Sequence, residues 1–462
     1  MIGYRSTRSD GGDEPLGFGD VLLAGLAPDG GLYCPIDIPA LPGGITADTP
    51  YVDAAVAILE PYTAGTFDAG ELGAMAAEAY RSFRHPDVCP VVDLGPDRHL
   101  LDLTRGPTLA FKDVALQMVG RMLEAELARR GRRVTIVGAT SGDTGSAAIE
   151  SLAGKTGIEV LILHPNERVS EIQRRQMTTV AAPNIHNVAI RGTFDDCQDL
   201  VKASFADAEL RTDVGLAAVN SINWARVLCQ IVYYVTSARR VRPDGGPVSF
   251  SVPSGNFGNV LSGWYAKRMG LAVDKLVVAS NRNDVLTRYF ETGRLTTREV
   301  EPSLSPSMDI QISSNFERAL WEASGRDGRA VAELLGQLRA TGSVEVPDEW
   351  RAVLDADFVG ARLDDDGTID TIAATHARSE VVVDPHTAVG LAAAEATAVP
   401  GTPMVTLATA DPAKFPDAVE RAIGLRPALP PHAAEILTRP ERYEVVDNDL
   451  DAIVERLRAI GG

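Results

Sequence analysis

Between residues 134 and 290, short β-branched runs are each followed by a turn and then by an amphipathic stretch. The four segments are VTIVGATSGDTGSAAIESLA, EVLILHPNERVSEIQRRQM, VSFSVPSGNFGNVLSGWYAKRM and KLVVASNRNDVLTRYF. Strands that alternate with helices require parallel α/β architecture, because each crossover lays a helix over the sheet. The stretch SEVVVDPHTAVGLAAAEATAVPGTPMVTLATADPAKF (379–415) repeats the texture and is expected to return to the same sheet. Residues 1 to 95, rich in Gly, Pro and Ala, carry turn punctuation such as APDGGLYCP and a helical stretch over 68–83, and read as a small leading domain. No repeat of fixed period is present, which argues against a solenoid.

A chain of 462 residues allows roughly two or three domains. Hydrophobic residues at 45% and charged residues at 23% exclude a disordered or coiled-coil chain. The net charge of −19 repels nucleic acid and anionic lipid, so a small anionic ligand has to be captured locally, by loop amides and a few placed cations. Cys34, Cys89, Cys197 and Cys229 are scattered without CxxC spacing, which suggests reduced thiols in a cytosol, not a disulfide framework or a metal site. The N-terminal residues lack a signal-peptide core, and the apolar stretch Val381–Ala410 is broken by Asp384, Pro385, His386, Glu395 and Pro400. A cytoplasmic protein without a membrane anchor is expected.

VTIVGATSGDTGSAA (134–148) and VSFSVPSGNFGN (248–259) each set a glycine turn between an apolar strand and a helix. A helix N-terminus offers unpaired N–H groups and the positive end of the peptide dipoles, and glycine lets that backbone approach a phosphate or carboxylate. Either turn alone is an ordinary strand-to-helix connection. Gly138, Gly142 and Gly145 also approximate a dinucleotide fingerprint, which makes a dehydrogenase the alternative reading. Against it, the strand 159–163 ends in His164, Pro165 and Asn166, where an acidic residue is needed for the ribose hydroxyl. Ser141, Asp143, Thr144 and Ser146 crowd the first turn with hydroxyls and a carboxylate, which suits a small polar substrate better than a pyrophosphate.

In LTRGPTLAFKDVALQMVGRML (103–123), Lys112 falls in the first turn of a helix, framed by Leu109, Ala110 and Phe111. The macrodipole and the apolar frame both disfavour its charge and push it toward the neutral amine. A neutral amine attacks aldehydes, so Lys112 is a candidate for Schiff-base formation, most simply with pyridoxal phosphate. A solvated lysine at a helix start is the ordinary alternative; the two anion-holding turns tip the balance. Asp113 reads as a capping or first-turn carboxylate.

The run Thr104-Arg105-Gly106-Pro107-Thr108-Leu109-Ala110-Phe111-Lys112-Asp113 resembles the cofactor-lysine motif of the threonine synthase family. STRSDGG and GLAPDGGLYCP precede it, and ATSGDTGSAA, VNSINWARVLCQIVYY, SGNFGN, SMDIQISSNFER, DPHTAVG and TADPAKF follow it, in that family's order. The resemblance implies a two-lobed α/β enzyme of pyridoxal-phosphate fold type II, tryptophan synthase β-like, with a small N-terminal domain. The catalytic region would span 96–462, with its smaller lobe over about 134–240. Such an enzyme converts O-phospho-L-homoserine and water to L-threonine and phosphate, the last step of threonine biosynthesis.

Carried over residue by residue, Lys112 would hold the cofactor and then move the α and β protons. Gly255, Asn256, Phe257, Gly258 and Asn259 would cradle the cofactor phosphate, Asp143 would stand beside its phenolic oxygen, and Thr409 would offer a hydroxyl to its pyridine nitrogen. Ser141, Thr144 and Ser146 would grip the substrate carboxylate. Asn220, Ser221 and Arg226 would bind the substrate phosphate, with Arg226 about two turns into a helix begun by Asn220. A guanidinium suits that leaving group because its planar fork pairs two oxygens at once. The implied partner is the small-molecule substrate alone, acted on by a monomer or homodimer, with no metal. Two departures stand out: Asp411 precedes PAKF where the family has His, and STRG has become Ser6-Thr7-Arg8-Ser9-Asp10. His386 reads equally as a proton relay or a satisfied core histidine and stays outside the catalytic set.

Overall fold

A computed structural model describes residues 1–140, 142–217 and 221–461. Two sheets organise it. The larger runs, in spatial order, Phe358–Arg362, Val273–Ser280, Val248–Pro253, Met404–Ala408, Arg98–Asp102 and Val91–Gly95, parallel except for the final hairpin pair. The smaller runs Glu444–Asp447, Ile185–Arg191, Ile158–Pro165, Val134–Ala139 and Leu216–Ala217, parallel throughout. This is the two-lobed α/β arrangement, and it assigns the two glycine turns to different sheets. The stretch 379–415 therefore returns to only one of them: Met404–Ala408 enters the larger sheet between Val248–Pro253 and Arg98–Asp102. Gly390 lets helix Pro385–Thr397 lie close on that sheet, since a Cβ there would stand 3.0 Å from both Pro253 Cγ and Thr406 Cγ2. The smaller sheet takes its edge strand and a covering helix, Leu450–Gly461, from near the far end of the sequence.

The N-terminal part pairs Tyr4–Ser6 with Tyr33–Pro35 and adds helices Phe18–Ala24, Tyr51–Thr63 and Ala69–Tyr80. The helix expected over 68–83 starts one residue later because Asp68 is its cap. Asp68 accepts from the Glu71 N–H at 2.8 Å while Glu71 accepts from the Asp68 N–H at 3.0 Å, a capping box that contributes about 1 kcal/mol.

Helix Trp224–Val241 runs through the centre, buried continuously from Trp224 to Ala238 and packed against helices Gly258–Arg268, Lys112–Arg130 and Tyr51–Thr63. Gly263 permits the first contact, as a Cβ there would fall 2.7 Å from the Tyr234 ring. The start of this helix corrects the sequence reading. Asn223, not Asn220, is its cap, accepting from the Ala225 N–H at 3.0 Å, so Arg226 lies in the first turn and not two turns in. Among the described residues no helix is long and apolar enough to cross a membrane.

Candidate active site

Lys112 is the first residue of helix Lys112–Arg130. The loop before it is folded tightly: Leu109 adopts φ +62°, a left-handed conformation costing roughly 1 kcal/mol for a residue with a side chain. Hydrogen bonds hold it there, from Asp411 N to Leu109 O (3.0 Å), from Phe111 N to Thr409 O (3.0 Å) and from Leu109 N to Gly106 O (3.3 Å). The loop bearing Lys112 is thus stitched to the segment bearing Thr409. The Asp113 carboxylate turns back into the same loop and accepts from the Thr108 N–H (2.8 Å) and hydroxyl (2.6 Å). Complete burial pushes Asp113 up to about 6, with the Thr108 bonds and Lys414 pulling the other way. Gly106 is required beside it, since a Cβ would stand 2.5 Å from the Asp113 side chain.

The Lys112 side chain is only 9% exposed, with Nζ 3.6 Å from Asp143 Oδ2 and 4.8 Å from the centre of the Phe111 ring. Burial lowers its pKa; Asp143 opposes this, while Lys414 and Arg226 reinforce it. Lys414 is the residue that sequence reasoning missed. It is fully buried, 2.7 Å from Asp143 Oδ1, and donates to Thr108 O at 2.9 Å. Gln173 also donates to Asp143 Oδ1 at 2.9 Å. Burial would raise the Asp143 carboxyl, yet Lys414 and Lys112 together hold it well below the usual carboxylate range. The only signal for Lys414 was its position in PAKF, just after Thr409.

In the first glycine turn, the Thr140 hydroxyl accepts from the N–H groups of Gly142 (3.0 Å) and Gly145 (2.9 Å), and Gly142 sits at φ +150°. Thr144 is half-buried at the start of helix Asp143–Leu152. Ser146 does not present its hydroxyl to the cleft: it is completely buried and donates to Gly142 O at 3.0 Å. Ser141 and Asn220 lie outside the described residues.

The second turn uses its backbone and directs its larger side chains elsewhere. Phe257, at φ +60°, packs its ring against Phe316 and Phe358. Asn259 Oδ1 accepts from the hydroxyls of Tyr233 (2.6 Å) and Tyr234 (2.8 Å). Gly255 passes so close to Ser307 and Met308 that a Cβ would stand 2.9 Å from Ser307 O. Helix Gly258–Arg268 begins here with no side-chain cap and no acidic residue in its first turn, leaving its N-terminal N–H groups to an anion. His386 is a satisfied core residue: Nδ1 bonds Asp384 at 2.7 Å, Nε2 accepts from the Ser307 N–H at 3.2 Å, and the ring packs on Phe415.

Arg226 is 5% exposed, and among the described residues its Nε and Nη1 are buried without a hydrogen-bond partner. Burial pushes the guanidinium down to about 10. A buried cation with idle donors is costly by itself, and an anion relieves both penalties. Lys414 and Arg226 thus both act on the buried Lys112 amine, a local concentration of basic groups inside a protein of net charge −19. These donors fit pyridoxal phosphate: a buried amine for the aldehyde, an uncapped helix start for the phosphate, and a buried Ser254 hydroxyl that also has no partner among the described residues.

Three family models match the chain: "Threonine synthase N terminus" over residues 3–80, "Pyridoxal-phosphate dependent enzyme" over 94–334, and "Threonine synthase, C-terminal" over 387–456. Threonine synthase of Pseudomonas aeruginosa is 49% identical over 453 residues, covering 97% of this chain and 96% of that one. The chain belongs to the threonine synthase family. Pyridoxal-phosphate-bound threonine synthase from Brucella melitensis superposes with a TM-score of 0.96 at 46% identity, each chain covered in full. A threonine synthase crystal structure from yeast superposes at 0.94 with 37% identity, covering 99% of this chain and 98% of that one. Membership in the threonine synthase family removes the dehydrogenase reading. The protein is a pyridoxal-phosphate-dependent enzyme of fold type II.

Proposed function

We propose that the protein converts O-phospho-L-homoserine and water to L-threonine and phosphate. The observation that carries this reading is the buried Arg226 guanidinium, with two donors unpartnered among the described residues, near enough to the buried Lys112 amine for its charge to lower the Lys112 pKa. One group recognises a phosphate ester and the other handles protons beside it.

Pyridoxal phosphate, when bound, withdraws electrons from the substrate α-carbon and so acidifies the C–H bonds next to it. Lys112 binds the cofactor and then carries protons to and from the substrate α- and β-carbons, a task suited to an amine whose charge is disfavoured by burial. Arg226, aided by Ser221 and Asn220, grips the substrate phosphate and stabilises the charge that grows on it as it leaves. The N–H groups of Gly255 to Asn259 hold the cofactor phosphate. Thr144 and Ser141 meet the substrate carboxylate, while Ser146 serves by fixing the turn. Thr409 would offer its hydroxyl to the pyridine nitrogen, and Asp143, its charge balanced by Lys414, would stand by the phenolic oxygen. The four cysteines, all free and buried, suit a reducing compartment, and we read the enzyme as cytoplasmic and a monomer or homodimer.

Phosphate release from O-phospho-L-homoserine, with threonine identified as the product, tests the reaction. Borohydride reduction with peptide mapping tests the attachment at Lys112. A protein that takes up the cofactor at Lys112 yet releases no phosphate would refute the substrate assignment.

A further inference from the structure

The SSNFER element, one of the segments that carry the family resemblance, is absorbed by none of the roles above. Its side chains reach both phosphate-holding loops. The Asn315 amide nitrogen donates to Ser221 O at 3.0 Å and to Asn256 O at 2.9 Å, and its backbone N–H donates to Asn256 O at 3.1 Å. Ser221 belongs to the loop proposed for the substrate phosphate and Asn256 to the turn proposed for the cofactor phosphate. Asn315 is itself completely buried.

Arg318, also completely buried, fixes the orientation of that amide by donating from Nη1 to Asn315 Oδ1. From Nη2 it donates to Ile222 O at 2.6 Å, and from Nε and Nη2 to Tyr33 O at 3.0 and 2.9 Å. The N-terminal part is thereby joined to the loop that leads into the helix bearing Arg226. Asn223 makes a second tie by donating to Leu22 O at 3.0 Å, and Glu317 makes a third by accepting from Thr7 (2.6 Å) and from Arg8 (2.9 and 2.7 Å). Neighbouring serines bind the cofactor turn alone, Ser313 donating to Gly255 O at 2.7 Å and Ser314 to Asn256 Oδ1 at 3.1 Å. Gly258 leaves room for the arrangement, since a Cβ there would sit 3.2 Å from the Asn315 amide nitrogen.

We propose that Asn315 is a positioning residue that sets the spacing of the two phosphate-holding loops, so that cofactor and substrate affinities depend on one side chain that contacts neither ligand. A carbonyl pulled toward one amide fixes where the adjacent N–H groups point, and two carbonyls drawn to the same nitrogen cannot drift apart independently. This rests on the threonine synthase reading.

The test is Asn315→Ser, whose short hydroxyl cannot span both carbonyls. The dissociation constant for pyridoxal phosphate, from absorbance titration of apoprotein, is expected to rise about tenfold. KM for O-phospho-L-homoserine is expected to rise by about the same factor, and kcat per borohydride-trapped cofactor to fall less than threefold. Ser313→Ala is expected to weaken cofactor binding alone and leave KM within twofold. A merely structural role for Asn315 would lower the fraction of active protein and its melting temperature while leaving both constants in place, and that result overturns the proposal. A change in only one of the two constants overturns it as well. If Asn315→Ser does not accumulate as folded protein, Asn315→Asp carries the same expectations, because it keeps the volume and the Arg318 partner but repels both carbonyls. Wild-type protein without phosphate release would instead refute the underlying reading, whereas active wild type with unmoved variant constants would refute this inference alone.

Discussion

The turn at 255–259 is held by neutral hydrogen bonds from groups behind it: Ser313 on Gly255, Asn315 on Asn256, Tyr233 and Tyr234 on Asn259. The turn at 142–146 is held differently. Thr140 braces its backbone, but its functional group, Asp143, is held by Gln173 and by two lysines that reach it from outside its sheet, Lys414 and Lys112. A turn proposed to hold the cofactor phosphate benefits from bonds indifferent to pH and salt. A turn whose carboxylate neighbours the lysine proposed to transfer protons is instead tuned by charge, and every change of protonation nearby is felt there. Two turns of similar glycine spacing are therefore built on different physics.

Lys112→Ala removes the amine beside Asp143 that is proposed to bind the cofactor. Turnover is expected to fall by at least about a thousandfold, with no borohydride-stable cofactor adduct, as read by phosphate release and peptide mass. Next in size is Arg226→Lys, which keeps charge but loses the planar fork. KM for O-phospho-L-homoserine should rise on the order of a hundredfold while the cofactor stays bound. A parallel loss of cofactor would mean that Arg226 serves the second turn, and the contrast would have to be redrawn.

Lys414→Met addresses the charge-tuned turn directly. Lys414 helps to lower the Lys112 pKa, so its removal raises that pKa, and the neutral amine then forms only at higher pH. The pH profile of cofactor uptake by apoprotein should move upward, with rates near neutrality falling. Ser313→Ala, in the hydrogen-bonded turn, should leave that profile where it is. An unshifted profile in Lys414→Met would show that charge does not distinguish the turns.

The smallest effect is on stability. The folded-state pKa of Asp113, about 6, lies above the ordinary carboxylate value of 3.8, so its contribution is fully present below that value and is lost as pH rises through 6. Between pH 4 and 7 the stability difference between wild type and Asp113→Asn should move in the variant's favour by up to about 3 kcal/mol, measured by denaturant titration. A constant difference across that range would mean that Asp113 is not desolvated as its burial implies.

Much of this was legible in local sequence. The strand-turn-helix texture declared the α/β lobes, and the conflict between charge, dipole and apolar frame marked Lys112. What escaped depended on distant partners. Lys414 gains its meaning from Asp143 in the other sheet, and no local feature of PAKF reveals that pairing. The start of the helix bearing Arg226 was misplaced because both Asn220 and Asn223 have the chemistry of a cap, and only the fold decides between them. Ser146 was credited with an open hydroxyl although its place in the helix returns that hydroxyl to the backbone.

The strand Glu444–Asp447 lies beside Ile185–Arg191, and helix Leu450–Gly461 covers the apolar face made by Val137, Leu161 and Leu163. During synthesis the ribosome delivers residues 134–217 long before it delivers these. The nascent smaller lobe therefore waits with an unpaired edge and an uncovered greasy surface, while most of the larger lobe is being made. Shielding by a chaperone during that interval, and slow closure governed by long-range contacts, follow from this topology.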